Sequence, residues 1–201
     1  MKIAFAGTGY IGKIHAQAAQ DLGLELAAVV NHKTDSMAEF SKRFGISRQY
    51  EKLDTLLKDG GVDALVIGTP NFLHAPQAIA ALRVGVHVLV EKPMAMNARE
   101  AEKMMDASAK SGAKLMVAHC WRFDEDVLWL RKESKKLGEI IRTKGIGVHT
   151  HWGPSGWFTQ KEFAGGGALA DMGIHALDTA RFLLGDPRPV AVYAKIGTHY
   201  K

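Results

Sequence analysis

The stretch Met1-Lys2-Ile3-Ala4-Phe5-Ala6-Gly7-Thr8-Gly9-Tyr10-Ile11-Gly12 decides the fold. Its first half is a short apolar run, read as a strand over Ile3–Ala6. Its second half is Gly-x-Gly-x-x-Gly. A helix over Lys13–Leu22 follows, with Ile14, Ala18, Ala19 and Leu22 on one face. The glycines have separate jobs: Gly7 allows a tight turn, Gly9 lets the backbone approach an anion, and Gly12 lets helix and strand pack closely. Free N–H groups and the positive end of the helix dipole then face a pyrophosphate. Alone, the pattern is weak. Between the first strand and first helix of a strand–helix series it specifies a dinucleotide cradle made by Gly7, Thr8, Gly9, Tyr10, Ile11 and Gly12.

The series continues. Near-continuous apolar runs at Leu26–Val30, Ala64–Ile67, Val86–Val90 and Leu115–Ala118 have the character of parallel strands buried on both faces. Helical spacing occupies Ser36–Phe44, Ala75–Val84 and Arg99–Ser111, with Asn97 placed to cap the last. This alternation over residues 1–118 predicts an α/β domain with a doubly wound parallel sheet. After Ala118 the character changes. Asp124–Lys136 reads as a charged helix, Ile140–Trp152 and Val190–His199 as strands, and Gly165–Leu184 as a Gly-rich loop feeding a helix that Pro187 and Pro189 stop. Residues 119–201 are therefore expected to form an incomplete α+β domain, because two strands and two helices leave a sheet face without partners.

Composition narrows the function. The 201 residues are 47% apolar and 23% charged, with a formal charge of +5. The cations are scattered. The densest run, Arg131, Lys132, Lys135 and Lys136, is interrupted by Glu133 and reads as a solvated helix face, so no nucleic acid is expected. The positive balance suits a phosphate-bearing cofactor or an acidic substrate. No run of ~18 apolar residues exists, so no membrane partner is expected. Cys120 is the one cysteine, which excludes a disulfide framework and fits a reducing, cytoplasmic setting.

Ligands of open α/β sheets bind at the carboxyl ends of strands, and several segments fall there. Asn31-His32-Lys33 ends the second strand, where a carboxylate would read the adenosine ribose of NAD. Asn31 bonds a hydroxyl without repelling a 2′-phosphate, and Lys33 pairs with one, so NADP is slightly favoured. Thr69, Pro70, Asn71 and His74 follow the Ala64–Ile67 strand, and Glu91, Lys92 and Pro93 follow Val86–Val90. On the late helix, Asp171 and His175 are four apart and share a face, with Asp178 close to it. A histidine oriented by a carboxylate is an acid–base pair. His149 and His151 point to one side of their strand. They line a substrate pocket in one reading and join Asp171 and His175 around a metal in a less favoured one, so no metal is expected.

Read in order, GTGYIG, GTPNFLH, VLVEKP, CWRFD and GGGALADMGIH make the chain resemble the glucose–fructose oxidoreductase and inositol dehydrogenase family (Gfo/Idh/MocA), from Met1 to the last residue. The resemblance implies a Rossmann domain followed by an α+β domain on a large open sheet. It implies hydride transfer between NAD(P) and a hydroxyl-bearing carbon of a sugar or polyol. Lys92 matches the lysine of the EKP motif, and Asp171 and His175 match the aspartate and histidine of the active-site helix. In that reading His175 removes the hydroxyl proton, Asp171 orients the substrate or the imidazole, and Lys92 holds the hydroxyl and stabilises the alkoxide-like oxygen. Arg122 and Trp157 match positions bordering the cofactor or the substrate. A cis Lys92–Pro93 bond and, at full length, a homo-oligomer through the open sheet are also implied. Family members are considerably longer, so the chain is expected to be a truncated form. The competing expectation is a non-catalytic dinucleotide-binding or regulatory protein. The joint presence of Lys92, Asp171 and His175 argues against it, because binding alone needs none of them.

Overall fold

A computed structural model describes residues 1–146, 156–195 and 197. Strands β1 (Lys2–Ala6), β2 (Glu25–Val30), β3 (Arg48–Tyr50), β4 (Ala64–Ile67), β5 (His87–Val90) and β6 (Leu115–Val117) form one sheet in the order β3-β2-β1-β4-β5-β6. Every pairing is parallel. Alternate residues of the strands enter two separate cores. Ile3, Phe5, Val29 and Val66 meet helices α1 (Tyr10–Asp21) and α2 (Thr34–Phe44), whose Ala16, Ala19, Met37, Phe40 and Phe44 are buried there. Ala4, Ala6, Leu65, Ile67 and Val90 face the other way, onto α3 (Leu53–Asp59), α4 (His74–Arg83) and α5 (Ala98–Ser111). Each large side chain so buried contributes roughly 1.5–3 kcal/mol. The expected doubly wound sheet is present, and its strand order reverses between β1 and β4, which opens a crevice at their carboxyl ends.

Three readings of the sequence need correction. First, β3 and α3 lie in a stretch read as neither strand nor helix. Arg48-Gln49-Tyr50 carries no apolar run, and the strand exists because Ala28, Val29 and Val30 supply its ladder. Arg48 is also tied down, donating to the Gly60 carbonyl at 2.8 Å and to the Tyr50 hydroxyl. Second, α1 buries Gly12, Ala16 and Ala19, while Ile14 and Leu22 are 45% and 75% exposed. The helix sits so close to the sheet that its inward face must be small. Third, residues 140–146 and 190–195 form no strand, and Val190 is 99% exposed. A strand needs a ladder partner, and neither segment has one among the described residues.

The later chain is helical where it is regular. Asn97 caps α5 as expected, its side chain accepting from the Glu100 N–H at 3.1 Å. Asp124 caps α6 (Glu125–Glu133) in the same way, and a 3₁₀ turn over Ser134–Leu137 extends it. Short α7 (Lys161–Ala164) ends at Gly165 with a left-handed φ of +72°. A π-helical turn, Leu169–Gly173, then leads into α8 (Ile174–Leu183). Phe182 of α8 is buried beneath the Arg131 guanidinium, 3.9 Å above its ring. Among the described residues no helix is long and apolar enough to cross a membrane.

The glycines of the first loop generate a stability prediction. A Cβ on Gly12 would overlap the Gly7 carbonyl oxygen, whereas one on Gly9 would meet open space. Gly12→Ala should therefore destabilise the chain by about 1–3 kcal/mol through overpacking. Gly9→Ala, at an N-cap position, should cost less than about 1 kcal/mol. Urea melts of the two variants check the difference.

Candidate active site

The loop after β1 is fixed by backbone contact. Gly7 has a φ of +97°, and its N–H donates to the Val30 carbonyl at 3.0 Å. A Cβ there would lie 2.7 Å from the Gly68 carbonyl oxygen, so only glycine lets the β1 and β4 loops touch. α1 then starts from Gly9 with no side-chain cap and no acidic residue in its first turn. The N–H groups of that turn lack intrahelical acceptors, and the side of Gly9 that a Cβ would fill is open. An uncapped, uncharged helix start with an open glycine beside it fits the pyrophosphate of a dinucleotide.

The ribose end is arranged differently from the sequence reading. Asn31 donates its amide N–H to the Thr8 hydroxyl, and its carbonyl oxygen accepts from the Lys33 N–H at 3.3 Å. Thr8 is buried and also pairs with the Ser36 hydroxyl at 2.7 Å. Asn31 thus holds the cradle loop to the start of α2, while His32 and Lys33 are exposed at the rim. The Thr8 side chain, expected at the cofactor, is turned into this network.

The loops after β4 and β5 hold a second group of expected residues. His74 is 1% exposed, with Nδ1 2.7 Å from the Pro93 carbonyl oxygen and Nε2 2.8 Å from that of Thr69. Burial pushes its pKa down, against the pull of those two carbonyls. Expected on the cofactor, it is buried with its two ring nitrogens facing backbone carbonyl oxygens. Asn71 is buried and donates to the Ala164 carbonyl at 2.8 Å, tying the β4 loop to the end of α7. The Thr69 hydroxyl donates to Gln77. Glu91 binds His15 of α1 at 2.8 Å through one oxygen and accepts the Lys92 N–H through the other. The Lys92–Pro93 bond is cis.

Lys92 crosses to the late helix. Its ammonium donates to Asp171 Oδ1 at 2.8 Å and to the Asp171 backbone oxygen at 3.1 Å. Asp171 lies in the π-helical turn and His175 in the first turn of α8. Asp171 meets Lys92, and His175 Nδ1 is buried without a hydrogen-bond partner among the described residues. π-turns of this sort are frequent at functional sites. The His175 imidazole is 7% exposed and stacks on Trp121, ring centroids 4.8 Å apart and planes 19° from parallel. Burial first and the Lys92 ammonium second hold its pKa below the ordinary histidine value.

Arg122 has a structural partner set. Its guanidinium forks onto both oxygens of Asp178 at 2.7 Å and reaches Asp186 at 2.7 Å. These bonds push its pKa further up and that of Asp186 down. Asp178, expected near the catalytic face, is thereby spent on fixing α8 to the segment carrying Trp121. His119 Nδ1 stands 3.6 Å from Asp178, and burial lowers its pKa.

Trp157 stacks on Phe158 with centroids 3.8 Å apart. Phe158 lines a hollow of about 70 Å³ with Asn71, Ala164, Gly167 and Asp171, beside the ammonium of Lys92. His149 and His151 lie outside the described residues. Among those described, no group of three or more metal-ligating side chains occurs. Sequence reasoning missed His15, His119 and Trp121. His15 had a signal, since it stands three residues after Gly12 on the helix face turned to the sheet. His119 and Trp121 stand just before Arg122, after the end of β6, but nothing in their spacing announces the stack.

Two family models match the chain. Residues 1–119 match the GFO_IDH_MocA family (oxidoreductase family, NAD-binding Rossmann fold), and residues 131–201 match a GFO/IDH/MocA C-terminal domain. D-glucoside 3-dehydrogenase of Escherichia coli (strain K12) is 34% identical, over 98% of this chain and 59% of its own. Levoglucosan dehydrogenase of Pseudarthrobacter phenanthrenivorans is 32% identical, over 92% of this chain and 52% of its own. Among solved structures, GenD2 from gentamicin A biosynthesis in complex with NAD superimposes with a TM-score of 0.83 at 29% identity, covering 93% of this chain and 54% of that one. The chain spans roughly half the length of the curated relatives it matches. The first family match takes in the whole six-stranded sheet and more than half of the residues, and the chain belongs to the Gfo/Idh/MocA family of NAD-binding oxidoreductases.

Proposed function

We propose that the protein is an NAD(P)-dependent dehydrogenase moving a hydride between the nicotinamide and a hydroxyl-bearing carbon of a sugar or polyol. Residues 1–118 would serve as the dinucleotide-binding domain and residues 119–201 as the first part of the substrate domain. The observation that carries this reading is the meeting of Lys92 with Asp171, 2.8 Å apart, beside a buried histidine and at the carboxyl edge of the sheet. The relatives named above, one acting on a glucoside and one on levoglucosan by name, support the substrate class.

The bound nicotinamide supplies the hydride chemistry. This chain's residues do the rest. Gly9 and the first turn of α1 hold the pyrophosphate. Lys92 donates to the substrate oxygen and stabilises the negative charge that grows on it, and Asp171 holds the ammonium in place. His175 accepts the hydroxyl proton. Its lowered pKa keeps it in the neutral, proton-accepting form at neutral pH.

A panel of sugars and polyols, followed by the near-ultraviolet absorbance of the reduced nicotinamide, tests the activity. A panel with no response from a chain that binds the cofactor would sink it. Lys92→Ala or His175→Ala should lower turnover by roughly 10²–10⁴, with cofactor affinity barely changed because the phosphates sit on residues 7–12. The acid limb of the wild-type rate profile should fall below about 6.5, the unperturbed histidine value.

Coenzyme choice is a finer proposal: a modest preference for NADP. Asn31 places no negative charge at the ribose, and the exposed Lys33 ammonium is at the rim. An exposed ion pair is worth about 0–1 kcal/mol, so the preference should be a few-fold and should shrink with salt. Asn31→Asp should turn it toward NAD, and Lys33→Ala should weaken NADP alone. Dissociation constants at two ionic strengths decide this.

Self-association is the last element of the proposal. Tyr193, Val192 and Val190 are 93%, 86% and 99% exposed, and such surface favours burial against another copy. Light scattering of the 201-residue chain should show oligomers, and a monomer at high concentration would contradict it.

A further inference from the structure

His74 takes no part in the chemistry just described, yet it is among the most completely buried side chains of the molecule. Its two ring nitrogens end on two different ligand-facing loops, Nε2 on the Thr69 carbonyl oxygen at 2.8 Å and Nδ1 on that of Pro93 at 2.7 Å. Each loop continues to a part of the site. Thr69 follows Gly68, whose backbone presses on Gly7 of the cradle so closely that a Cβ would stand 2.7 Å from the Gly68 oxygen. Pro93 follows Lys92, whose ammonium binds Asp171. A continuous path of short contacts therefore runs from Gly7 through Gly68, Thr69, His74 and Pro93 to Lys92.

We propose that His74 is a positioning residue: its imidazole is a strut that sets the spacing between the cofactor cradle and the Lys92 ammonium. In catalytic importance this rests on the reading of Lys92 given above, while the strut itself stands on geometry alone. α4 supplies the rigidity, because His74 is its first residue and Ala75, Ala78, Ala81 and Leu82 anchor the helix in the core. A flat ring with nitrogens on opposite sides holds the two carbonyl oxygens at a fixed separation in a way no flexible side chain does. A neutral imidazole carries one N–H, so both bonds are complete only on protonation. The Glu91 carboxylate favours that state, and burial and the Lys92 ammonium oppose it.

The two arms can be separated. The amide of Asn reproduces the place of Nδ1 and keeps the Pro93 arm, while Gln reaches toward the place of Nε2 and keeps the Thr69 arm. Leu keeps neither. The activity-independent measurement is the acetylation rate of Lys92 by acetic anhydride, relative to exposed Lys42, read by peptide mass. His74→Leu and His74→Gln should raise it several-fold, because the ammonium loses its hold on Asp171, and His74→Asn should stay near wild type. Equal rates in the Asn and Gln variants, or no rise in either Gln or Leu, would overturn the proposal. Should His74→Leu fail to fold by circular dichroism, the Asn–Gln pair still decides. In turnover, His74→Gln should lose up to ~10²-fold in kcat, the cost of a displacement of about 1 Å, with coenzyme KM changed far less. Wild-type chain without turnover would count against the dehydrogenase reading only, and the labelling result would still judge the strut.

Discussion

Backbone packed on backbone at the carboxyl ends of β1 and β4 is the constraint on which the rest of the structure depends. Gly7 meets Gly68, and Gly12 passes over the Gly7 carbonyl oxygen. Three glycines at that crossing bring α1 down onto the sheet, and everything above follows from the approach. It forces a small inner face on α1, met by Gly12, Ala16 and Ala19. It points the start of α1 into the crevice where the strand order reverses. It places His15 within reach of Glu91, so that the first helix also steadies the loop bearing Lys92.

Much of this was legible from residue order, for a physical reason. Strands buried on both faces have no choice but to be apolar throughout, so β1, β2, β4 and β5 announce themselves. Asn97, placed ahead of a helical run, announces a helix start. β3 and α3 do not, because their formation depends on an edge already present and on Leu53 and Leu56 finding the core. The inner face of α1 differs from the one its periodicity suggests, because closeness of approach rules there and not hydrophobicity. Alanine wins there over Ile14 and Leu22.

The site was legible as a set of residues and not as a set of contacts. Lys92, Asp171 and His175 are drawn together, but by a π-turn that spacing rules do not anticipate. The aspartate faces the lysine and the imidazole lies on Trp121. Polar side chains near a ligand site are easily credited with touching the ligand. Thr8, Asn71 and His74 have partners on the backbone or in neighbouring loops that only the folded chain reveals. Arg122 likewise fastens α8 through Asp178 and Asp186.

The Lys92–Asp171 bond joins residues 79 positions apart, and its two ends have different dependencies. The glycine loop and the lysine belong to the sheet and its loops, within residues 1–119. Among the described residues the Lys92 ammonium on Asp171 and the Asn71 amide on Ala164 tie the later segment to that sheet, and the Arg122 fork on Asp178 fastens α8 to the turn after β6. On the dehydrogenase reading proposed above, recognition of the dinucleotide would fall to the first group and recognition of the substrate to the second. Changes to the hollow and its aromatic lining on the later segment would then alter the substrate and leave the dinucleotide platform untouched. The lysine and its aspartate are the coupling that such changes would have to preserve.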